Sequence, residues 1–459
     1  MVSQNDVAVL LERQRIFFSS GKTLPLSFRL AQLKKLKEAI KKNESDLIAA
    51  LASDLGKSEF EAFTAEIGFL YEEINITLKN LQKWVKPKRV FTPILMQPGS
   101  SRILTEPKGV VLIIAPWNYP IQLTLAPMVA AIAAGNCLVV KPSELAPAST
   151  AAVKRLLEQC FSPEFCCVVT GGVDETTNLL THRFDHIFFT GSSAVGKVVM
   201  RAAADHLTPV TLELGGKSPC VVDRDVDLET VARRIVWGKF YNAGQSCVAP
   251  DYVLVHRSSK PSLLSFMKKA IHEFYGQNPA QSPDFGRIIG QRHFDRLVSL
   301  IHGKNVFTGG TWDRETRYIA PTILDKVALT DPIMENEIFG PILPILDYEH
   351  LDDAIAIVKK HSHPLACYVF TSNPKIESRI LREIPFGGGS VNSALMHLLN
   401  PRMPFGGIGA SGMGSYHGKA GVEAFSHKKS IYKSPLWLDI PLKYPPYEKR
   451  LPLMRRLMR

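Results

Sequence analysis

No CxxC pair occurs in this chain of 459 residues, and its seven cysteines are odd in number and sit mostly in apolar runs such as Asn136-Cys137-Leu138-Val139-Val140. That pattern argues against a disulfide framework and reads as small buried hydrophobes in a reducing compartment. Unbroken apolar runs of membrane-spanning length are missing too. The longest, Leu123 to Val140, is interrupted by Pro127, Gly135 and Asn136, which predicts a buried helix followed by a strand. Met1 to Phe18 carries Glu12, Arg13 and Arg15 where a signal peptide needs an apolar core, so a cytoplasmic protein is expected. No internal repeat and no Gly-triplet period are found, which excludes solenoid and collagen-like folds. A basic–aromatic nucleic-acid pattern is also lacking. The net charge of +12 therefore reads as a solvated surface, with no nucleic-acid partner.

What the chain does contain is an ordinary globular composition, 45% apolar and 21% charged, at a length that fits two or three domains. Leu26 to Leu51 reads as two amphipathic helices broken at Asn43-Glu44-Ser45. From Arg102 onward, apolar β-branched runs alternate with helices: Val110–Ile114 strand, Pro127–Ala134 helix, Cys137–Val140 strand, Ala151–Gln159 helix, then strands at Cys166–Thr170 and His186–Thr190. Continuous apolar strands need both faces covered, which predicts a doubly wound parallel sheet with ligands beyond the strands' carboxyl ends. After Leu214-Gly215-Gly216 a second series begins, with strands at Cys220–Val222, Tyr252–Val255 and Cys367–Thr371 and helices at Leu228–Tyr241 and Pro261–Phe274. The expected fold is thus two open doubly wound α/β domains, Rossmann-like and catalytic, plus a small β oligomerisation arm. Residues 1–88 and 105–214 form the first domain, 215–427 the second, 89–104 and 428–442 the arm, and 443–459 a basic amphipathic tail.

Three motifs carry chemistry. Asn242-Ala243-Gly244-Gln245-Ser246-Cys247 places a thiol after a small-residue loop, where a free amide can stabilise charge on sulfur. Thr211-Leu212-Glu213-Leu214-Gly215-Gly216 puts a carboxylate at an apolar strand end, where desolvation raises its pKa and suits it to proton abstraction. Ala115-Pro116-Trp117-Asn118-Tyr119-Pro120 ends a buried strand with an amide able to donate to an oxyanion. His397 and His417 lack partners at ligand spacing and read as satisfied structural histidines, so no metal is implied.

Asn118, Glu213 and Cys247, taken with Glu337-Ile338-Phe339-Gly340-Pro341, resemble the aldehyde dehydrogenase superfamily. The resemblance extends through Lys141-Pro142-Ser143-Glu144, Phe189-Thr190-Gly191-Ser192 and Pro404-Phe405-Gly406-Gly407-Ile408-Gly409, in order, from about Leu24 to Lys429. Pro250-Asp251-Tyr252 and the ending Gly414-Ser415-Tyr416-His417-Gly418-Lys419 look like the class 3 branch, which includes fatty aldehyde dehydrogenases. The resemblance implies Cys247 as nucleophile, Asn118 as oxyanion donor and Glu213 as the base that activates water. It also implies a site for NAD or NADP. There Lys141 and Glu144 meet the adenosine ribose, Gly191, Ser192 and Gly196 the pyrophosphate, and Glu337 and Phe339 the nicotinamide ribose and ring, with Trp117 and Leu214 also against the cofactor. This is not the GxGxxG fingerprint.

The expected activity is NAD(P)-dependent oxidation of apolar, medium- to long-chain or aromatic aldehydes to carboxylates, with Tyr119, Trp237, Tyr241 and Leu395 to Leu399 as tunnel walls and a homodimer as the assembly. An acylating, coenzyme A-dependent relative is the first alternative, disfavoured by Glu213, and a catalytically silent homologue the second, disfavoured by the intact Cys247, Glu213 and Asn118. The run Lys443 to Arg459 sets six basic residues against Glu448 among leucines and methionines, which suggests peripheral contact with an anionic membrane face.

Overall fold

The computed structural model describes residues 4–361, 363–448 and 450–458. Helices Leu26–Lys42 and Glu44–Leu55 match the two amphipathic segments, and bury Leu33, Leu36, Ile40, Leu47 and Leu51 along the stripe that helical spacing dictates. The second stops at Gly56, whose φ of 63° closes the helix in the left-handed conformation. A short helix, Glu59–Ala62, then passes through a π-helical turn, Phe63–Ile67, into the helix Gly68–Val85.

The first sheet has six strands in the spatial order Gly412–Met413, Val210–Glu213, His186–Thr190, Val110–Ile114, Cys137–Lys141, Cys166–Val168. All pairings are parallel except that of Gly412–Met413. The central strand Val110–Ile114 is wholly buried, as its unbroken apolar run requires. Every residue of the helix Gln122–Ala134 is buried as well. It starts five residues before Pro127, where the sequence suggested a first turn, because the Glu66 carboxylate accepts the N–H groups of Ile121 (2.9 Å) and Gln122 (3.1 Å). A capping group from a distant helix thus overrides the local proline signal.

The second sheet has seven strands in the order Val306–Thr308, Thr322–Leu324, Ile342–Tyr348, Tyr252–His256, Pro219–Val222, Ala366–Phe370, Gly388–Val391, all parallel except the first. Four strands here escape the sequence pattern, the three-residue Val306–Thr308 among them, and the other three for evident physical reasons. Ile342–Tyr348 contains Pro344, which argues against a strand locally, Gly388–Val391 opens with two glycines, and Thr322–Leu324 is very short. A third sheet pairs Lys88–Val90 with Ser100–Pro107 and the latter with Ser426–Lys433 over eight residue pairs. Strand structure there ends at Lys433, short of the expected 442. Among the described residues no helix is long and apolar enough to cross a membrane.

One boundary needs correction. Residues 412–425 do not stay with the second sheet, as the span 215–427 would require. Gly412 and Met413 pair with Glu213 and Leu212, and Tyr416, Val422 and Phe425 are buried in the first core. The helix Gly418–Ala424 packs on Gln122–Ala134, where a Cβ at Gly421 would come within 2.9 Å of the Ala130 Cβ, and Glu73 accepts the Gly418 N–H at 2.7 Å. Gly421→Val should therefore overpack this contact at a cost of about 1–3 kcal/mol and lower the midpoint of thermal unfolding by several degrees, read by circular dichroism. Gly290→Ala, where no atom lies within 4 Å of an added Cβ, should leave the midpoint nearly unchanged.

Candidate active site

The carboxyl ends of the first sheet open onto a cleft of about 830 Å³. Pro116, Trp117 and Asn118 enter it after Val110–Ile114, Gly191 and Ser192 after His186–Thr190, and Glu213 and Leu214 at the end of Val210–Glu213. From the second half come Cys247, Glu337 and Phe339.

Cys247 follows a tightly constrained loop. Asn242 (φ 52°), Ala243 (φ 49°) and Gly244 (φ 72°) are all left-handed, and a Cβ on Gly244 would lie 2.3 Å from the Gly340 carbonyl oxygen. Non-glycine residues in this region carry strain of about 1–3 kcal/mol each and persist only where neighbours hold them. Here Gln245 does so. Its Nε2 donates to the carbonyls of Asn242 (3.1 Å) and Arg287 (3.0 Å), and its Oε1 accepts the Ile289 N–H at 3.0 Å. Asn242 Nδ2 donates to the Asn118 carbonyl at 2.8 Å, and Asn118 Nδ2 returns a bond to the Gln245 carbonyl at 3.1 Å. An amide nitrogen carries two hydrogens, so this bond orients Asn118 while leaving one N–H for the cleft it lines.

Desolvation dominates the electrostatics. Glu213 is buried, neither carboxylate oxygen has a hydrogen-bond partner among the described residues, and burial pushes its pKa well up. Burial likewise raises the Cys247 thiol, reinforced by the Glu337 and Glu213 carboxylates. Glu337 is raised to about 8 by burial and by Asp251, against the pull of the Gly216 N–H, Lys217 and Lys239. Lys239, without a partner among the described residues, is lowered to about 8 by the same burial. Lys217 pairs with Asp251 at 2.5 Å and donates to the carbonyls of Ile333 (2.9 Å) and Asn336 (3.0 Å), while Asp251 accepts the Ile338 N–H at 2.9 Å. This buried pair sets the loop that presents Glu337. Phe339, at φ 53°, stands edge-on to Trp117 with centroids 5.2 Å apart, and its carbonyl contacts a ring nitrogen of His293 at 2.7 Å.

The residues present fit a dinucleotide. Ser192 caps the helix Ser193–Ala204, whose first residues, Ser193 and Ala194, line the cleft. A Cβ on Gly196 would meet the Leu214 side chain at 2.7 Å and one on Gly215 would meet the Glu337 carboxylate at 1.9 Å, so a larger residue there would displace these two side chains. Lys141 and Glu144 form an ion pair at 3.1 Å but are not among the residues lining this cleft. Thr190, Lys197, Met200, Lys217, His293 and Arg296 also line it, none of them singled out by sequence. His293 lies more than forty residues from any motif, and only packing brings it to Trp117.

A second, apolar cavity of about 260 Å³ reaches Cys247 from the other side, walled by Tyr119, Trp237, Tyr241, Leu395, Leu398 and Leu399 among others. His417 lines it, stacked on Phe405, with neither ring nitrogen hydrogen-bonded to a described residue. It is buried but not satisfied, contrary to the structural reading. Among the described residues, no group of three or more His, Cys, Asp or Glu side chains is placed to hold a metal.

A glycine-floored cleft and an apolar channel meeting at one thiol define a cofactor-dependent oxidoreductase. The aldehyde dehydrogenase family model matches residues 2–431. The chain is 49% identical over 436 residues to 4,4'-diaponeurosporen-aldehyde dehydrogenase of Staphylococcus aureus, covering 95% of each, and 47% identical over 450 residues to the dimeric NADP-preferring aldehyde dehydrogenase of Mus musculus, covering 98% of this chain and 99% of that one. The solved substrate-bound state of Staphylococcus aureus AldH superposes with a TM-score of 0.97 at 46% identity, covering 99% of both chains. The chain belongs to the aldehyde dehydrogenase family, in its class 3 branch. It is an NAD(P)-dependent aldehyde dehydrogenase.

Because burial holds the Cys247 thiol protonated at neutral pH, its reactive thiolate fraction grows with pH. Iodoacetamide should label Cys247, which opens on both cavities, ahead of the other six cysteines, at a rate rising about tenfold per unit between roughly pH 6 and 9. Peptide mass spectrometry reads the order, and a rate already flat at pH 6 would contradict the raised thiol.

Proposed function

We propose that Cys247, as the thiolate left when its proton passes to solvent through the cleft, attacks the aldehyde carbonyl to give a thiohemiacetal, whose oxyanion accepts hydrogen bonds from the Asn118 side-chain amide and the Cys247 backbone N–H. NAD or NADP, when bound, supplies the hydride acceptor. Trp117, Lys141, Glu144, Gly191, Ser192, Gly196, Leu214, Glu337 and Phe339 hold it, with Lys141 and Glu144 at the outer, adenosine end. In its ionised form, Glu213 then takes a proton from the water that hydrolyses the resulting thioester. The observation that carries this reading is that Cys247 lines both cavities, with the unpaired Glu213 carboxylate on the cleft side. Deacylation to water and not to coenzyme A follows from Glu213, a base with no other partner among the described residues.

The substrate is an apolar aldehyde of aliphatic or aromatic character, because the channel walls are aromatic and leucine-rich. The relative named 4,4'-diaponeurosporen-aldehyde dehydrogenase supports aldehyde oxidation. In domain terms, 1–88, 105–214 and the returning 412–425 form the cofactor unit and 215–411 the catalytic unit. The third sheet is the arm of a homodimer, a reading supported by the exposure of Phe91, Ile94, Leu436 and Trp437 and by the dimeric relative.

Glu213→Gln should leave a burst of reduced cofactor followed by turnover slowed about 10²-fold or more, since the base acts only in the second half-reaction. Stopped-flow absorbance reads both phases, and loss of the burst would overturn the assignment. Cys247→Ala should abolish both.

The basic tail serves as a reversible contact with an anionic membrane face. Its helix Leu451–Met458 exposes Leu451, Leu453 and Met458, while Lys449 and Arg459 lie outside the described residues. Full-length protein should co-sediment with anionic but not neutral liposomes, and a chain ending at Leu442 should not. Equal recovery of both chains would remove the tail from any membrane role.

A further inference from the structure

Lys57 and Glu66 form an ion pair 2.5 Å apart with both side chains fully buried, outside the catalytic residues. Burying two charges costs more solvation than their attraction returns unless the remaining hydrogen-bonding capacity is used, so such a pair is weak evidence for stability as such. Here the remaining capacity goes to one short segment of backbone. Lys57 Nζ donates to the Asn118 carbonyl at 3.0 Å, and Glu66 Oε2 accepts the N–H groups of Ile121 and Gln122. The pair therefore grips residues 118–122 at both ends. Between them the Lys57 ammonium sits 4.1 Å from the centroid of the Tyr119 ring, which lines the apolar channel.

The local backbone is shaped for this. Glu66 lies in the π-helical turn Phe63–Ile67, the only such turn among the described residues, and π-turns concentrate at functional sites. An inserted residue rotates the chain after it, so one stretch sends Glu66 to the 118–122 backbone while Phe60, Thr64, Ala65 and Phe69 line the channel.

We infer that Lys57 and Glu66 are positioning residues for the oxyanion site, acting through Asn118. The Asn118 carbonyl is fixed by Lys57 and by Asn242, and its amide by the Gln245 carbonyl. With both ends of the residue held, the remaining amide N–H has one direction, into the cleft. Without the pair the loop keeps its fold contacts but loses the restraint that aims the donor, and a displacement of the order of 1 Å is enough to weaken such a donor severely. The inference rests on the proposed role of Asn118.

The test is a double-mutant cycle on the burst rate of cofactor reduction at saturating aldehyde, using the full chain. Lys57→Met/Glu66→Gln removes both charges, so no unpaired ion is left buried. It should remain folded, bind NAD within about twofold of wild type, and lower the burst rate about 10- to 100-fold. Asn118→Ala should lower it at least as much, and adding the pair substitutions to Asn118→Ala should slow it no further than about threefold, because the pair works through that side chain. A merely structural role predicts the same factor in both backgrounds, and that result overturns the proposal. So does a folded pair variant with a burst rate within about threefold of wild type while Asn118→Ala is slow. If Asn118→Ala is itself as fast as wild type, the oxyanion assignment falls and the positioning role with it. Should the pair variant fail to fold, Glu66→Gln alone, which keeps an oxygen for the Ile121 and Gln122 N–H groups, should slow the burst at least about threefold, and a wild-type rate overturns the proposal.

Discussion

Asn118 and the cysteine loop exchange hydrogen bonds in both directions: the Asn118 carbonyl accepts from Asn242, and its amide donates to the Gln245 carbonyl. These two buried bonds tie the loop after the central strand of the first sheet to the loop before the thiol of the second. The strained left-handed run Asn242-Ala243-Gly244 and the placement of Cys247 at the meeting of the two cavities both depend on that tie. A loop so strained would relax if it were exposed. Here Gln245, Asn118 and the backbone of Arg287 and Ile289 hydrogen-bond it, while Asn242 Oδ1 has no partner among the described residues.

Around this junction the protein uses dehydration as its main electrostatic device. Glu213, Cys247 and Glu337 all have burial as the largest cause of their raised pKa values, and each is left with few or no direct partners. An unpaired buried carboxylate is expensive, and the chain offsets it nearby with fully satisfied buried pairs, Lys217 with Asp251 and Lys57 with Glu66, that brace the loops on which the reacting groups sit. Reactive groups are left hungry for protons while their supports are saturated with hydrogen bonds.

The channel is likewise a joint product of distant segments. Its walls come from the π-turn region, from the 118–123 loop, from the helix before the cysteine loop and from residues 395–417. The last of these stretches then crosses back to complete the first sheet at Gly412–Met413 and its core at Tyr416 and Phe425. A wall of the aldehyde channel is thus also part of the core of the cofactor side.

Sequence alone determined the alternating apolar strands and helices, and hence the two doubly wound sheets. It also determined the ordered motifs around Asn118, Glu213, Cys247 and Glu337, because local periodicity and a chemically unusual residue in a small-residue loop are properties of neighbours in the chain. The family was legible for the same reason. Only the tertiary structure decided that Glu66 starts the helix at Gln122, that Pro344 lies inside a strand, that residues 412–425 return to the first sheet and its core, and that His417 has no hydrogen-bond partner among the described residues where it lines the channel. It also decided that Lys57 and Glu66, more than fifty residues before Asn118, hydrogen-bond the backbone of Asn118, Ile121 and Gln122. Each of these is a contact between segments remote in sequence, whose energy comes from burial and hydrogen bonds that exist only once the chain has folded, and no local pattern encodes which distant partner will supply them.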